Sequence, residues 1–278
     1  MTQKKKSTST ELEIVICLKP VPDPRRWEKL KLDPETMRLN RSQVPAVINA
    51  LDLNAVEQAL ALRQAIGGRL TVISMAPPEA EEQLREALAM GCDRAVLLTD
   101  RAFGGADTLA TARTLAAAIR KLGRFDLVLG GAYSLDGSTS QVGPQLAEFL
   151  EIPDYTRVVN MELRGNSLRA ECHGDSGDLV YEGELPALLT FDREANLPRL
   201  PSMAGIRRAQ ELEIVRWTAA DLELAAEEVG QAGSPTQMLN VFTPTVGRKG
   251  EILQGTAAEM SAALIAKLRA DKRLNQER

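Results

Sequence analysis

The sequence predicts an α/β fold: three layers, a mostly parallel sheet with helices on both faces, a short β-hairpin region and an extended C-terminal arm. Three observations predict it. Short β-branched runs alternate with stretches of helical period, their connections are short and rich in Gly, Pro and Asp, and the pattern changes to successive strands after Pro153. Strand–helix alternation at this spacing gives a parallel sheet covered by helices.

The first run, LEIVICL at 12–18, is nearly continuously apolar, as a strand buried on both faces must be. Runs of the same kind follow at 70–74, 95–98 and 126–130. Between them, Leu53, Val56, Ala59, Leu60 and Leu62 share one face of a helix over 52–65. Leu84, Ala87 and Leu88 do so over 79–90, with Gly91 as the C-cap. Leu109, Ala112, Leu115, Ala116 and Ile119 mark a third helix over 107–122, where Asp107 or Thr108 can cap. A fourth helix begins near Ser138 and carries Leu146, Phe149 and Leu150. Short strands are then expected at 156–163, 167–172, 179–182 and 187–191, the middle pair joined by a HGDSGD turn at 173–178. Beyond Asn196 core signals are few: 197–209 is broken by Pro and Gly, 223–237 is polar with a GSPT corner, and 256–270 is an amphipathic helix. The expected organisation is a disordered tail at 1–10, an α/β domain at 11–200 with its hairpin region at 156–191, and a loop and arm at 201–278 that pack on a partner.

Composition removes several classes of function. The 278 residues carry 34 Lys+Arg against 38 Asp+Glu, a net charge of −4, and 4% are aromatic, which argues against nucleic acid as a ligand. The polar start MTQKKKSTST has no apolar core behind it, and no apolar run approaches a membrane span, so neither a signal peptide nor membrane insertion is expected. His173 is the single histidine, which excludes Ser-His-Asp triads and multi-histidine metal sites built from this chain alone. Cys17, Cys92 and Cys172 are scattered and odd in number, as expected in a reducing, cytoplasmic compartment without zinc or iron–sulfur sites. Such a chain either works through a bound organic cofactor or does no chemistry.

Open parallel sheets bind ligands at the carboxyl ends of their strands, which directs attention to the loops at 19–26, 75–79, 99–107 and 130–138. The most informative is GGAYSLDGSTSQVGPQLAEFL at 130–150, which follows a strand and opens a helix, where free N–H groups and the helix dipole favour a phosphate. Gly130 and Gly131 permit close approach of the backbone, while Asp136, Gly137, Ser138, Thr139 and Gln141 supply a turn and hydrogen-bonding groups. An N-capped helix start without a ligand explains the same residues. Neither G-x-G-x-x-G nor the Walker G-x-x-x-x-G-K-[ST] pattern occurs.

The same segment resembles the nucleotide signature of the electron transfer flavoprotein β-subunit family, roughly G-x-x-x-x-D-x-x-x-x-Q-x-G. Further stretches resemble that family in the same order: VICLKPVPDP (15–24), NALDLNAVEQAL (49–60), EALAMGCDRAVLLTD (86–100), LPALLTFDREANLPRLPS (185–202) and GSPT (233–236). The resemblance implies a fold of the adenine nucleotide-binding type and a heterodimer with an α subunit. It implies an FAD shared with that subunit and a separate adenine-nucleotide pocket in this chain. It places Asn49 and the backbone around Lys19–Asp23 at the adenosine, Met75 at the adenine, and Asp136, Ser138, Thr139 and Gln141 on the phosphate side. Asn49 also fits a helix cap, and Met75 an ordinary core residue.

Two versions of the family differ in what that pocket holds, AMP or a second FAD that takes hydride from NADH and bifurcates its electrons. The loop DRAFGGADTLATA (100–112), with Asp107, Thr108 and Thr111, resembles the second type. A carboxylate at a helix start repels a diphosphate unless it binds backbone N–H groups instead. Residues 197–206 resemble the loop that touches partner dehydrogenases, an acyl-CoA dehydrogenase or another, with Met203 as its apolar anchor and Arg199 near the shared flavin. The hairpin departs from the family pattern, having Cys172 in place of a basic residue and Leu179 in place of an acidic or amide one. The resemblance thus implies an electron carrier whose cofactor does the redox chemistry. The alternative is a nucleotide-binding sensor or regulatory module of related fold without redox activity.

Overall fold

The computed structural model describes residues 11–29, 31–32, 39–40, 44–237 and 250–271; the tail expected at 1–10 lies outside them. One compact unit runs from Met1 to Met238 and a second from Leu239 to Arg278.

In chain order the strands are β1 (Glu13–Cys17), β2 (Pro20–Pro22), β3 (Lys31–Leu32), β4 (Leu39–Asn40), β5 (Ala46–Ile48), β6 (Arg69–Met75) and β7 (Arg94–Leu98). They continue as β8 (Leu127–Gly131), β9 (Asp154–Arg164), β10 (Ser167–Gly174), β11 (Gly177–Glu184), β12 (Ala187–Phe191) and β13 (Ile214–Trp217). The helices are α1 (Ala50–Ile66), α2 (Glu81–Met90), α3 (Thr108–Leu122), α4 (Val142–Leu150), α5 (Met203–Glu211) and α6 (Ala257–Ala270). Nine strands form one sheet in the order β11-β10-β9-β12-β8-β1-β6-β7-β13, while β2–β5 and β3–β4 form small antiparallel ladders. From β9 to β13 across the sheet all neighbours are parallel, and β10 and β11 add an antiparallel hairpin at one edge.

The continuous apolar runs have the expected cause. Successive residues of a strand face opposite sides, and both sides are covered. Ile14 and Ile16 of β1 join Leu127 and Leu129 of β8 beneath α1 and α2, in a cluster that includes Val56, Leu60, Leu84 and Leu88. Val15 and Val128 face the other way, toward Leu115 and Ile119 of α3 and Leu146 and Leu150 of α4. From β1 the chain winds outward through β6 and β7, then crosses back to place β8 on the other side of β1. The carboxyl ends of β1 and β8 therefore flank the topological switch point, where the sheet opens a crevice.

Two expectations need correction. α4 begins at Val142, not near Ser138, because Ser138 and Ser140 have φ of 51° and 56° and cannot belong to a right-handed helix. The α/β unit also continues past residue 200. α5 packs on α2, and β13 extends the sheet beside β7. This segment lacked an apolar signature because small residues and arginines hold it. A Cβ on Gly205 would lie 2.1 Å from the Ala89 carbonyl oxygen, so glycine there permits contact between helices instead of breaking one. Ser202 caps α5 through the Gly205 N–H (3.0 Å), and Arg208 donates to the carbonyls of Leu88 and Cys92 (both 2.8 Å). In the second unit, α6 starts on a Thr256–Glu259 capping box and buries none of its residues within the chain.

The two hairpin departures face each other. Cys172 of β10 pairs directly with Leu179 of β11, so an apolar cross-strand pair stands where the family resemblance implies a charged one. The neighbouring pair, His173 and Asp178, carries charge instead, with Nδ1 and Oδ1 2.5 Å apart. The hydrogen bond to Asp178 raises the His173 pKa above its ordinary 6.5. The ion pair therefore contributes at acid pH and is lost as pH rises through that raised midpoint. Because the chain has one histidine, a single imidazole NMR signal reports the titration. Its midpoint is expected above 6.5, and Asp178→Asn is expected to lower it.

Candidate functional site

The crevice is assembled by one buried carboxylate. Asn49 occupies the N-cap position of α1, and Asp52 lies three residues on, a spacing that normally produces reciprocal side-chain caps. Here the Asn49 side chain makes no cap bond. Its Nδ2 donates to Asp52 Oδ1 (3.0 Å) and to the Tyr133 carbonyl (2.9 Å), and its Oδ1 accepts the Leu135 N–H (3.2 Å). Asp52 in turn accepts the Lys19 N–H just beyond β1 (2.7 Å) and the Gly131 N–H at the end of β8 (3.0 Å). Burial pushes the Asp52 carboxyl up to about 6, while the Asn49, Lys19 and Gly131 donors pull the other way.

These bonds set the course of the loop after β8. Lys19 Nζ reaches across to Asp136 Oδ1 (2.7 Å) and Ser134 Oγ (3.1 Å). Asp136 is buried in this ion pair, with 3% of its side chain exposed, while the Lys19 side chain remains 45% exposed. Ser138 donates its N–H back to the Ser134 carbonyl (2.8 Å). Ser138 and Ser140 have left-handed backbone, unusual outside glycine, which bends the loop ahead of α4. No side chain caps the α4 that follows, so the opening N–H groups of that helix have no acceptor from a capping residue. Gly137 to Gln141 are exposed. A helix start without a side-chain cap, with the Lys19 ammonium on the loop before it, is a donor arrangement that fits a phosphate group.

The second loop borders this one. Thr108 Oγ1 donates to Gln141 Oε1 (3.2 Å), joining the start of α3 to the start of α4. Asp107 is committed elsewhere. Its carboxylate accepts Ala110 N–H as the N-cap of α3 and Thr236 N–H from the GSPT corner, each at 3.0 Å, while its own N–H donates to Ser234 Oγ (2.8 Å). Burial acts to raise its pKa, but the backbone donors outweigh burial and hold it below the ordinary value.

Other expected residues serve local structure. Asp23 is buried and bound by Arg25 through the backbone N–H and Nε (both 3.0 Å) and through Nη2 (3.1 Å). Met75 ends β6, half-buried against the α3 side of the core, and Thr111 is half-buried one turn into α3. The two glycines separate. A Cβ on Gly131 would lie 2.5 Å from Asp52 Oδ1 and 2.7 Å from Leu51 Cβ, so α1 itself fills the space. A Cβ on Gly130 would meet nothing closer than Cys17 Cβ at 3.8 Å.

Of the remaining candidates, Arg199 lies on the loop before α5 and Met203 opens that helix. Arg199 is gripped by Glu57 of α1, with Nε to Oε2 at 2.8 Å and Nη2 to Oε1 at 2.7 Å. Asn54, two residues after Asp52, donates to the Asn196 carbonyl (2.8 Å) and receives Asn196 Nδ2 on its own carbonyl (3.0 Å). From this fixed base Leu197, Leu200 and Met203 project at 90%, 88% and 72% exposure. Met203 is therefore not packed into its own unit. Asp52, Asn54 and Glu57 were missed by sequence reasoning although all three lie in the NALDLNAVEQAL stretch. The Asn49-to-Asp52 cap spacing was the available signal.

A doubly wound, mostly parallel sheet with helices on both faces and a crevice at its switch point defines an α/β protein of the class that binds ligands at the carboxyl ends of its strands. Residues 36–222 match the electron transfer flavoprotein domain family. The electron transfer flavoprotein subunit beta of Clostridium acetobutylicum is 45% identical over 258 residues, covering 93% of this chain and 98% of that protein. The caffeyl-CoA reductase-Etf complex subunit CarD of Acetobacterium woodii is 42% identical over 260 residues, covering 93% and 98%. Protein FixA of Azorhizobium caulinodans is 40% identical over 266 residues, covering 92% and 94%. The chain belongs to the electron transfer flavoprotein family as a β subunit, and its function is electron transfer with an α subunit as its counterpart. A sensing module without redox activity is not favoured. Among the described residues no helix is long and apolar enough to cross a membrane.

The glycine geometry yields a paired test. Gly131→Ala forces Asp52 and Leu51 apart and is expected to cost about 1–3 kcal/mol in urea unfolding. Gly130→Ala is expected to change stability by less than about 1 kcal/mol.

Proposed function

We propose that this β subunit holds an adenine nucleotide of its own at the β1/β8 crevice, in addition to forming one wall of the FAD site shared with the α subunit. The single observation that carries the reading is the loop from Ser134 to Val142: an uncapped helix start, two left-handed serines and the Lys19 ammonium beside it. Lys19, Ser138, Thr139 and the N–H groups opening α4 would hold the phosphates. Asn49 and the backbone at 19–23 would border the adenosine, and Met75 the base. The flavin supplies the redox chemistry when bound; this chain's residues bind, orient and exclude water.

The reading favours a second FAD over AMP, and with it bifurcation of electrons from NADH. Its support is the 100–112 loop. Asp107 gives both carboxylate oxygens to backbone N–H groups, which offsets part of the repulsion a free carboxylate would exert on a diphosphate, and Thr108 borders the α4 start through Gln141. Cofactor extraction from the purified αβ complex tests it. Two FAD and no AMP per heterodimer is the expected result; one FAD with one AMP would assign the AMP version instead.

The partner served is proposed to be a dehydrogenase or reductase of acyl-CoA type. Relatives include CarD of a caffeyl-CoA reductase complex and an acryloyl-CoA reductase electron transfer subunit gamma of Anaerotignum propionicum, 38% identical over 264 residues. Docking would use the Leu197–Leu200–Met203 stripe held on α1, while the second unit with α6 would form an arm on the α subunit. A cytoplasmic location accords with three free cysteines. Met203→Glu is expected to slow electron delivery to the dehydrogenase in stopped-flow mixing while flavin content stays unchanged. Equal transfer rates in the two proteins would remove Met203 from docking.

A further inference from the structure

Asp52 is a buried acid for which the electron-carrying role supplies no task. It is 5% exposed, and it receives one hydrogen bond from each of three segments: Lys19 after β1, Asn49 before α1 and Gly131 ending β8. Two of the three control the phosphate loop directly. The residue whose N–H binds Asp52 is the one whose ammonium reaches Ser134 and Asp136. Asn49, held by Asp52 Oδ1, is the side chain that ties down Tyr133 and Leu135.

We infer that Asp52 is the positioning residue of the nucleotide site, and that its ionised form locks the loop after β8 in the shape that receives phosphate. The inference rests on the proposed nucleotide pocket and adds to it a proton-linked control. An ionised carboxylate only accepts, which suits three donors. A protonated one carries an O–H in place of a lone pair, and its three charge-assisted bonds become weaker neutral ones. Burial first, opposed by the three donors, brings this change to about pH 6. The charged groups facing Asp52 do not share it. The Cys17 thiol beside it is pushed up to about 12, chiefly by burial and then by the Asp52 charge, so it stays neutral throughout. Lys19 brings a positive charge that is itself paired with Asp136.

Keeping Asp52 ionised in the interior does not stabilise the fold. A carboxyl raised above its unfolded value of 3.8 makes the folded state bind more protons between that value and about pH 6, so stability falls as pH rises through the window.

The test measures adenine nucleotide retained by the purified αβ complex after gel filtration at a series of pH values from about 7.5 to 5, alongside thermal unfolding. Wild type is expected to hold its nucleotide at neutral pH and lose it progressively below about pH 6. In Asp52→Asn, whose amide must set a donor against a donor, retention is expected to be weaker at neutral pH by roughly tenfold in dissociation constant, the equivalent of one pKa unit, with that step removed. A nucleotide phosphate can titrate near the same pH, so the decisive quantity is the difference between the two profiles. Should Asp52→Asn fail to fold, Asp52→Glu replaces it. Its longer carboxylate cannot keep all three ties, so a shifted or diminished step is expected.

Identical pH profiles in wild type and variant, or a wild-type profile flat across the range, would overturn the role of Asp52 while leaving the pocket intact. A wild-type complex that carries no adenine nucleotide at neutral pH would overturn the pocket reading and this inference together.

Discussion

Between β1 and β8 the sheet parts, and the backbone of both strands leaves it with N–H groups that no ladder can use. The Asp52 carboxylate takes one from each side, at Lys19 and Gly131, and the arrangement of the crevice depends on that closure. It fixes where the Lys19 side chain starts, and so which residues of the following loop the ammonium can reach. It leaves no space for a Cβ at Gly131, which draws the α1 N-terminus against the end of β8. Asp52 lies in the first turn of α1, where the helix dipole favours a negative charge. That favourable field and three donors oppose desolvation without cancelling it, as the raised pKa records. Buried ions of this kind specify a geometry more than they add stability.

α1 also joins the crevice to the surface proposed for docking. Its first turn holds the loop after β8 through Asn49 and Asp52, and its next turn holds residues 196–199 through Asn54 and Glu57. The Arg199–Glu57 contact is bidentate and augmented by the Arg199 N–H on the same carboxylate (3.0 Å), which fixes direction as well as distance. Leu197 and Leu200 consequently stand out from a rigid base. Apolar side chains held this way lose less conformational entropy on binding than those of a free loop. Exposure of a large apolar stripe is thus supported from beneath by polar contacts made within this chain.

How much of this was legible in the sequence follows from which forces leave a periodic trace. Burial on both faces did so in β1, β6, β7 and β8, and the 187–191 run coincides with β12. Apolar faces with Asp107 as a cap located α1 to α3. α5 and β13 left little trace because α5 meets α2 through a glycine at close approach and arginines on carbonyl oxygens, which have no hydrophobic period. At the site, the residue types around 130–141 were legible, but the late start of α4 was not, since serine gives no warning of a left-handed backbone. Asp52 was hidden for a related reason. An aspartate three residues after an N-cap looks like half of a capping pair, and only the folded chain shows its carboxylate turned toward two strand ends instead.

An anion site bordered by carboxylates requires that each be engaged by donors before the ligand arrives, because a bare negative charge within a few ångströms opposes binding strongly where water is scarce. Three acids border this crevice, and each is spent on the chain's own donors. Asp107 is spent on Ala110 and Thr236, Asp136 on the Lys19 ammonium, and Asp52 on the Lys19 and Gly131 backbones and the Asn49 amide. The acids shape the crevice while the groups left to face an incoming phosphate are backbone N–H donors at the start of α4 and the exposed part of Lys19. Such a site discriminates by shape as well as charge. Its donors are fixed in the backbone, and the three acids hold the surrounding segments in place through their own hydrogen bonds. Of these, Asp107 is held below the ordinary carboxylate range and Asp52 above it. As pH falls, Asp52 is therefore protonated before Asp107, while the α3 cap and its tie to the GSPT corner remain in place.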